Sequence, residues 1–413
     1  MTKRVVFYSF IIPALSKSGA QVRVYSNLRA YIDLDYEIEF VFFSKYELNE
    51  NIFIDGRVIE IQNVIIKESD SFKLDLNSIF SNSFRYNILN LTFPLRQLVE
   101  KTLKLKLRKY SGAIHHFEYL NTASACFGNF GSFIWSNHDY ISERFIEIQK
   151  QKRKRGKGKG FIKMWFRYYC LRYAEILVAK SCNLVLTISE SDKVSYEDLC
   201  PKANFEFLPM SWPGEFSLTK KRDWLKYNKL RMIHLGSLDS IVPFSSLSFI
   251  LEEVFPLIRP KILNQSDFYI VGSNTDGNLS RKIKKLSSNY KNVKLTGFIE
   301  NLDYLFINSD VQLVGLQFST GLRTRIVESF FRGLPVLTTV QGSDGLCGIK
   351  DNENLMIANN ASDFAKKITS LIENKSNKRK LETLSKGGSE LYSKHFSRKI
   401  QSKTLKKLLK KYI

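Results

Sequence analysis

The sequence predicts an α/β protein made of two doubly wound halves, each a parallel sheet with helices on both faces, that face a central cleft. Three observations predict this fold class. Short β-rich runs alternate with helical patterns along most of the chain. The chain has 413 residues, which is more than a single hydrophobic core usually supports. A hydrophobic fraction of 44% is enough to bury such cores, so we expect a folded protein.

The first half opens with the order of a doubly wound sheet. A β-rich run at residues 4–10 precedes a loop with Gly19, a helical pattern at 22–32 and a second run at 38–44. Gly19 therefore follows the carboxyl end of a strand, where sheets of this type bind ligands. The loop has no GxGxxG pattern, which argues against a dinucleotide-binding site.

A histidine follows another predicted strand directly. Further strands are predicted at residues 113–117, 132–137, 184–189 and 205–210. His138 comes at the end of the second of these, where it can transfer a proton or bind a charged group, or be purely structural. The pattern is lost between residues 211 and 228, so we place the first domain at 1–213.

The second half repeats the alternation around one central stretch. Its predicted strands are at residues 231–237, 267–273, 292–298, 310–316 and 336–340. Before the last strand lies a helix, which Ser319 or Thr320 is predicted to cap and Gly333 to end, so that its first amides can face an anion. This second domain is placed at 214–392. A basic helix at 393–413, with leucines on one face, is expected to return toward the first domain.

The excess positive charge is concentrated in two segments. The net charge is +23, with ten Lys or Arg residues in 150–174, eight in 394–413, and no Asp or Glu in either. Such segments favour nucleic acid, an anionic membrane surface or phosphorylated substrates as partners. No RNA- or DNA-reading motif is present, so we expect no nucleic acid.

Aromatic residues follow the first basic segment. Residues 150–159 are predicted to be a mobile loop, and the next helix is rich in Trp, Tyr and Phe. Two interpretations fit: an interfacial helix that docks on an anionic membrane, and a core helix after a solvated loop. The docking residues would be Lys152, Arg153, Lys154, Arg155, Trp165 and Phe166.

Cysteine usage and hydropathy indicate the compartment. The five cysteines show no metal-ligand spacing, and their odd number argues against a closed disulfide framework. No apolar run is long enough to span a bilayer. We therefore expect a cytoplasmic protein that is peripherally associated with the cytoplasmic face of a membrane.

A series of motifs resembles the GT-B glycosyltransferases of the family 4 type, glycosyl transferases group 1. These motifs are HLGSLDSIVPF, YIVGS, VKLTGFIENLDYLFINSDVQLVGL and TGLRTRIVESFFRGLPVLTT, with looser agreement at SGAQVRVYSNLRAYI and WSNHDYISERF. The resemblance implies a GT-B fold with an acceptor-binding first domain and a nucleotide-sugar-binding second domain. It also implies transfer of a sugar from a nucleotide-diphosphate sugar to a hydroxyl of a glycan or lipid-linked saccharide, as in surface polysaccharide or glycoconjugate synthesis, with retained configuration.

By position, the resemblance also assigns site residues. Glu328 would hold the donor ribose, Arg323 and Arg325 would lie near the diphosphate, and His138 would lie near the donor sugar and the reacting centre. The other implied donor-binding residues are Gly236, Ser237, Phe298, Ile299, Thr320 and Gly321. Gly19 and Arg23 are assigned to the acceptor side. From the residues alone, Arg325 and Glu328 are also compatible with a helical surface ion pair.

Two positions depart from many relatives. Thr320 replaces a Glu and Ser237 replaces an Arg, so Arg323 and Arg325 would carry more of the phosphate contact. Since arginines and helix amides can neutralise a diphosphate leaving group, we expect no metal and no cofactor besides the donor. The alternatives are a GT-B nucleotide-sugar epimerase and a non-enzymatic nucleic-acid-binding protein.

Overall fold

The chain forms two compact units. The computed structural model describes residues 3–14, 18–48, 51–71, 84–153, 160–214, 224, 229–273, 277–318, 321–373 and 377–413. The first unit combines Met1–Pro213 with Arg398–Ile413, and the second is Gly214–Ser397. The second unit thus runs to Ser397, beyond the predicted end at residue 392.

The first unit is built on a mainly parallel sheet. Within the described residues the strand order is β3-β4-β2-β1-β5-β6-β7-β8, and only β3 pairs antiparallel. The strands are β1 (Arg4–Ser9), β2 (Glu37–Ser44), β3 (Ile52–Ile54), β4 (Arg57–Ile65), β5 (Ile114–Glu118), β6 (Ser132–Ser136), β7 (Leu184–Thr187) and β8 (Phe205–Phe207). Their order agrees with the predicted doubly wound topology.

Both faces of this sheet are covered. Val6 and Tyr8 belong to one hydrophobic cluster, and Val5 and Phe7 to another, because alternate side chains of a strand point to opposite faces. The helices that flank the sheet are α1 (Gly19–Ile32), α2 (Phe84–Thr92), α3 (Arg96–Lys109), α4 (Tyr119–Ala123), α5 (Ile141–Arg153), α6 (Phe161–Ala179) and α7 (Glu190–Leu199). Burial on both sides explains why β1 is a continuous apolar run.

Helix α5 corrects one prediction. It extends to Arg153, so Lys150, Lys152 and Arg153 are helical and do not belong to a loop. Lysine, glutamine and arginine are good helix formers, and positive charges are favourable at a helix carboxyl end. Lys154 and Arg155 lie outside the described residues.

The second unit contains a fully parallel sheet in its described part. Its order is β11-β10-β9-β12-β13-β14. The strands are β9 (Leu230–Leu235), β10 (Ser266–Val271), β11 (Val293–Gly297), β12 (Val311–Val314), β13 (Val336–Thr339) and β14 (Met356–Ala358). The helices are α8 (Ile241–Ser248), α9 (Pro260–Leu263), α10 (Asn278–Ser287), α11 (Asp303–Ile307), α12 (Thr324–Phe331), α13 (Val340–Ser343), α14 (Ala361–Glu373) and α15 (Asn377–His395).

Helix α12 begins later than predicted. Its N-cap is Arg323 and makes no side-chain capping bond, so a cap at Ser319 or Thr320 is wrong. The turn before the helix passes through Gly321 at φ +75°, a left-handed conformation, and Ser319 and Thr320 lie outside the described residues. The helix ends at Phe331, and Gly333 follows at φ +61°.

The last helix, α16 (Arg398–Tyr412), is part of the first unit. Leu405 and Leu409 are buried in the same cluster as Leu28 of α1. The side-chain oxygen of Gln401 accepts hydrogen bonds from the Ser26 hydroxyl at 2.7 Å and the Ser211 hydroxyl at 2.6 Å. Both apolar and polar contacts therefore hold α16 against α1.

Candidate functional site

The residues predicted to bind the donor follow the carboxyl ends of strands in the second unit. Gly236 and Ser237 come after β9, and Phe298 and Ile299 come after β11. Glu328 lies in α12, which follows β12. Because these strands are parallel, all of these segments lie at one edge of the sheet, the edge at which doubly wound sheets bind ligands. Thr320 lies outside the described residues.

Two glycines allow the loops after β9 and β10 to touch. A Cβ atom on Gly272 would lie 1.9 Å from the carbonyl oxygen of Gly236, so a larger residue does not fit there. The Ser273 hydroxyl donates to the Ser237 hydroxyl at 2.7 Å. Ser237, which stands where many relatives have Arg, thus joins the two loops.

Glu328 is a buried carboxylate between two arginines. It is 1% exposed; Arg325 Nη1 donates to its Oε2 at 2.6 Å, and Arg332 Nε donates to its Oε1 at 3.3 Å. Arg332 also pairs with Asp303. The ion pair between Arg325 and Glu328 is therefore present, but its carboxylate is not on the surface. Arg332 was missed from the sequence, although its i,i+4 spacing from Glu328 is a usable signal.

Other residues complete this edge of the second unit. Arg323 Nε donates to the carbonyl oxygen of Gly321 at 3.0 Å, which fixes the guanidinium beside the turn before α12. The ring of Phe298 is 56% exposed, whereas Ile299 packs against the cluster that contains Phe306. The edge thus combines an exposed aromatic ring, arginine donors and a buried carboxylate.

In the first unit, His138 is bonded to a carboxylate that the sequence analysis missed. His138 lies between β6 and α5, and its Nε2 is 2.5 Å from Oε2 of Glu118, the last residue of β5. Asn27 Nδ2 donates to Glu118 Oε1 at 2.9 Å, and His116 Nε2 lies 3.2 Å from the same oxygen. The signal in the sequence is an acidic residue at the carboxyl end of an otherwise apolar strand.

This network sets the protonation of both groups. Burial would raise the pKa of Glu118, but the neighbouring His116 and His138 outweigh it and hold the pKa well below its usual range. Burial lowers the pKa of His138, although Glu118 opposes that shift. A neutral His138 beside an ionised carboxylate must carry its proton on Nε2, so Nδ1 is the atom with a free lone pair.

Tyr119 fixes the other side of His138. The two rings stack with centroids 3.8 Å apart and planes inclined by 24°. Tyr119 has φ +71°, which a bulky residue rarely adopts and which costs about 1–3 kcal/mol. Strain of this kind persists only where the surrounding structure enforces it, so the packing of this unit holds Tyr119 in position against His138.

A second carboxylate anchors the loop that carries His138. Glu175 Oε1 accepts from the backbone amides of Ile141 at 2.9 Å and Ser142 at 3.2 Å, and from the Tyr196 hydroxyl at 2.7 Å. Burial raises the pKa of Glu175 to about 7. Glu175 was not singled out from the sequence, because it occurs within a helix with no motif around it.

The residues predicted for the acceptor side lie in the first turns of α1. Gly19 is the first residue of this helix, and the Ser18 side chain caps it by accepting from the amide of Gln21. Arg23 is fully buried, and its Nη1 donates to the carbonyl oxygen of Leu208 at 2.8 Å. Among the described residues its Nε and Nη2 have no partner, and burial lowers its pKa to about 10.

Helix α6 has both a core face and an exposed aromatic face. Met164 and Leu171 are buried, whereas Phe166 is 65% exposed. Trp165 is half-buried, and the exposed apolar residues that accompany Phe166 are Phe161, Ile162 and Tyr169. Lys152 and Arg153 are exposed at the end of α5. Helix α6 therefore packs on the core through one side and leaves aromatic residues exposed on another, and docking on a membrane stays a prediction.

The described residues contain neither a cluster of metal ligands nor a helix suited to span a membrane. No three or more His, Cys, Asp or Glu side chains of the described residues are grouped to hold a metal ion. The Asp-x-Asp sequence at Asp33 and Asp35 lies after α1, where Asp33 accepts from Arg398 and Ser402. No helix in the described segments combines the length and hydropathy needed to cross a bilayer.

Comparison with known proteins agrees with this architecture. Residues 229–374 match the family model of glycosyl transferases group 1. No curated protein matches the sequence. Sucrose-phosphate synthase from Thermosynechococcus elongatus superposes with a TM-score of 0.72 at 13% identity, covering 99% of this chain and 98% of that one.

Two further structures show the same likeness. HepE of Anabaena, in complex with UDP and glucose, has a TM-score of 0.66 at 14% identity, covering 98% of this chain and 99% of that one. WaaG, a glycosyltransferase involved in lipopolysaccharide biosynthesis, has a TM-score of 0.63 at 12% identity, with 97% and 98% covered. The chain therefore has the GT-B fold, and its residues 229–374 are similar to the glycosyl transferases group 1 family.

Proposed function

We propose that this protein is a glycosyltransferase that moves a sugar from a nucleotide-diphosphate sugar to a hydroxyl of a glycan or lipid-linked saccharide, in surface polysaccharide or glycoconjugate synthesis. The observation that carries the proposal is Glu328, a buried carboxylate between Arg325 and Arg332 within the family-matched segment. A carboxylate has about four lone-pair positions, so two arginine contacts leave room for the hydroxyls of a ribose.

The surrounding residues suit the rest of the donor. The exposed ring of Phe298 offers a face on which a nucleobase can stack. Arg323, held beside the first turn of α12, supplies positive charge next to the positive end of the helix dipole. These groups would stabilise the charge that develops on the leaving diphosphate, so we propose transfer with retained configuration and without a metal.

His138 is proposed to lie at the reacting centre. Its Nε2 donates its proton in the hydrogen bond to Glu118, which leaves the Nδ1 lone pair available to another group. Nδ1 can accept a hydrogen bond from a sugar hydroxyl or take up a proton. Glu118 would then act as a positioning residue that sets the tautomer and the ring orientation, while Tyr119 limits the motion of the ring.

Incubation with a panel of nucleotide sugars and an acceptor extract tests the proposal. We expect transfer from at least one donor, and a loss of at least 100-fold in Glu328→Ala. The matched control is Glu390→Ala, which removes an exposed glutamate of the same unit and should keep the wild-type rate. Absence of both transfer and donor hydrolysis, with Glu328→Ala indistinguishable from wild type, would refute the activity. Conversion of the donor without any acceptor would favour the epimerase.

A peripheral membrane location is proposed on separate observations. The exposed aromatic face of α6 follows the basic carboxyl end of α5, and aromatic and basic residues together favour a membrane interface. Each Lys or Arg near an anionic surface contributes about 1 kcal/mol. We propose that this region holds the protein at the cytoplasmic face of a membrane, where a lipid-linked acceptor is available.

Liposome flotation tests the location independently of activity. We expect the wild-type protein to bind vesicles with anionic lipid at least fivefold more strongly than neutral vesicles. Phe166→Ser should weaken binding to the anionic vesicles at least fivefold. The control is Phe130→Ser, because Phe130 is 95% exposed but lies in the turn before β6. Equal binding to neutral and anionic vesicles would contradict electrostatic docking and would leave the proposed transfer reaction untouched.

A further inference from the structure

The first unit contains a cavity beside the stacked rings of Tyr119 and His138. Its volume is about 400 Å³, within the range of small-molecule sites. Most of its wall is apolar and comes from four segments, with Phe93, Leu120, Phe145 and Leu171 as contributors. Tyr119, whose ring stacks on the imidazole of His138, also lines the cavity.

One cation lies in this apolar wall. Arg167 lines the cavity, and its Nη2 donates to the carbonyl oxygen of Thr92 at 3.0 Å. Burial lowers the pKa of Arg167. Within the described ranges, no hydrogen bond occupies its Nε or Nη1, and neither atom is among the fully enclosed polar atoms. The guanidinium therefore keeps donors that a bound anion can use.

This composition selects the ligand. An apolar wall favours an aliphatic or aromatic group, and a partly buried guanidinium with spare donors favours a phosphate, to which arginine can bind in a bidentate manner. A sugar alone would leave most of the wall without an apolar partner, and free phosphate would leave the cavity empty. An ester that joins an apolar group to a phosphate matches both features.

We propose that this cavity binds the apolar group of a phosphate-linked amphiphilic acceptor, with the phosphate on Arg167 and the attached sugar directed past Tyr119 to His138. The proposal rests on the proposed glycosyltransferase function and specifies its acceptor. It makes Arg167 and Asn121, which also lines the cavity, residues that determine acceptor specificity.

Binding of octyl phosphate below its micellar concentration tests the proposal without any turnover. By isothermal titration calorimetry of the full chain, we expect octyl phosphate to bind at least tenfold more tightly than inorganic phosphate. Asn121→Trp, which places a large ring in the cavity, should weaken it at least tenfold. Arg167→Gln should weaken the binding of octyl phosphate about tenfold but leave the binding of octanol unchanged. Lys163→Gln removes the same charge from an exposed site one turn earlier in α6 and should have no effect.

Several outcomes would overturn the proposal. Octyl phosphate that binds no better than inorganic phosphate, or equally well in Asn121→Trp and wild type, would show that the cavity is not the site. Loss of binding in Phe166→Ser, with Asn121→Trp unaffected, would assign the amphiphile to the exposed face of α6. Melting temperatures show whether each variant is folded. The effect of UDP on the wild-type melting temperature is measured alongside, so failure of the acceptor site is distinguished from failure of the donor site.

Discussion

Replacement of Glu118 tests the network that holds His138. Glu118→Ala leaves two buried donors, Asn27 Nδ2 and His138 Nε2, without their acceptor. An unsatisfied buried donor costs about 1–3 kcal/mol, so we expect a loss of roughly 2–6 kcal/mol in the free energy of unfolding. Glu118→Gln keeps the volume and one acceptor oxygen and should lose about 1–3 kcal/mol. At about 2–4 °C per kcal/mol, the Gln variant should remain folded at 25 °C.

The activity of Glu118→Gln distinguishes positioning from simple stability. A misplaced catalytic group costs about 100-fold in rate, and we expect a loss of that order. Glu118 raises the pKa of His138 against the larger effect of burial, so its replacement should lower that pKa further. His138 would then stay neutral to lower pH. If the reaction needs neutral His138, the acid limb of the pH–rate profile moves to lower pH.

The control variant changes a half-buried glutamate whose partners differ from those of Glu118. Glu206→Gln alters a glutamate of β8 that pairs with Lys193 and Lys411, so it should lower the melting temperature and leave the acid limb in place. A Glu118→Gln protein with the wild-type rate and the wild-type acid limb would refute the positioning role. An equal shift of the acid limb in both variants would assign the effect to general electrostatics.

Three further predictions concern other contacts. Glu328→Gln should weaken binding of whichever nucleoside diphosphate stabilises the wild type, by about 10–100-fold in calorimetry, because bonds to a charged acceptor contribute about 1.5–3 kcal/mol; an unchanged affinity would contradict ribose binding. Glu175 has a pKa of about 7 when folded but about 4.3 when unfolded, so stability falls as pH rises between these values, by about 4 kcal/mol at most. Glu175→Gln should flatten the melting temperature between pH 5 and 8, and a slope as steep as in wild type would refute this. Gln401→Ala should cost about 2 kcal/mol by chemical denaturation, since two buried hydroxyls lose their acceptor; an unchanged midpoint would argue against it.

The doubly wound fold class and most central strands were predictable from the sequence, because burial on both faces of a sheet makes consecutive residues of a strand apolar. The strand order was not predicted, and β3 and β14 were not among the predicted strands. Val5 and Phe7 point to one side of the first sheet and Val6 and Tyr8 to the other, so residues 5–8 are all apolar. Helix boundaries were less predictable, because the start of α12 depends on the left-handed turn at Gly321 and not on a capping side chain.

The polar network of the first unit could not be assembled from the sequence. Glu118 is bonded to Asn27 and His138, which are 91 and 20 residues away along the chain. Neither local periodicity nor a short motif carries information about contacts of this kind. The positions assigned in the second unit came from several short motifs that resemble a known family, and the structure adds Arg332 beside Glu328. The role of each assigned residue stays a prediction until donor binding is measured.

The return of α16 to the first unit has a consequence for synthesis on the ribosome. The amino-terminal part of a chain usually folds first as it emerges. Here the acceptor for the hydroxyls of Ser26 and Ser211 is Gln401, which is translated near the end of the chain. Leu28 likewise lacks the apolar contact of its cluster with Leu405 until α16 has been translated. The first unit can therefore begin to fold before the second has been translated, but it is complete only once α16 is available. Chaperone binding to nascent chains should accordingly persist until α16 has emerged.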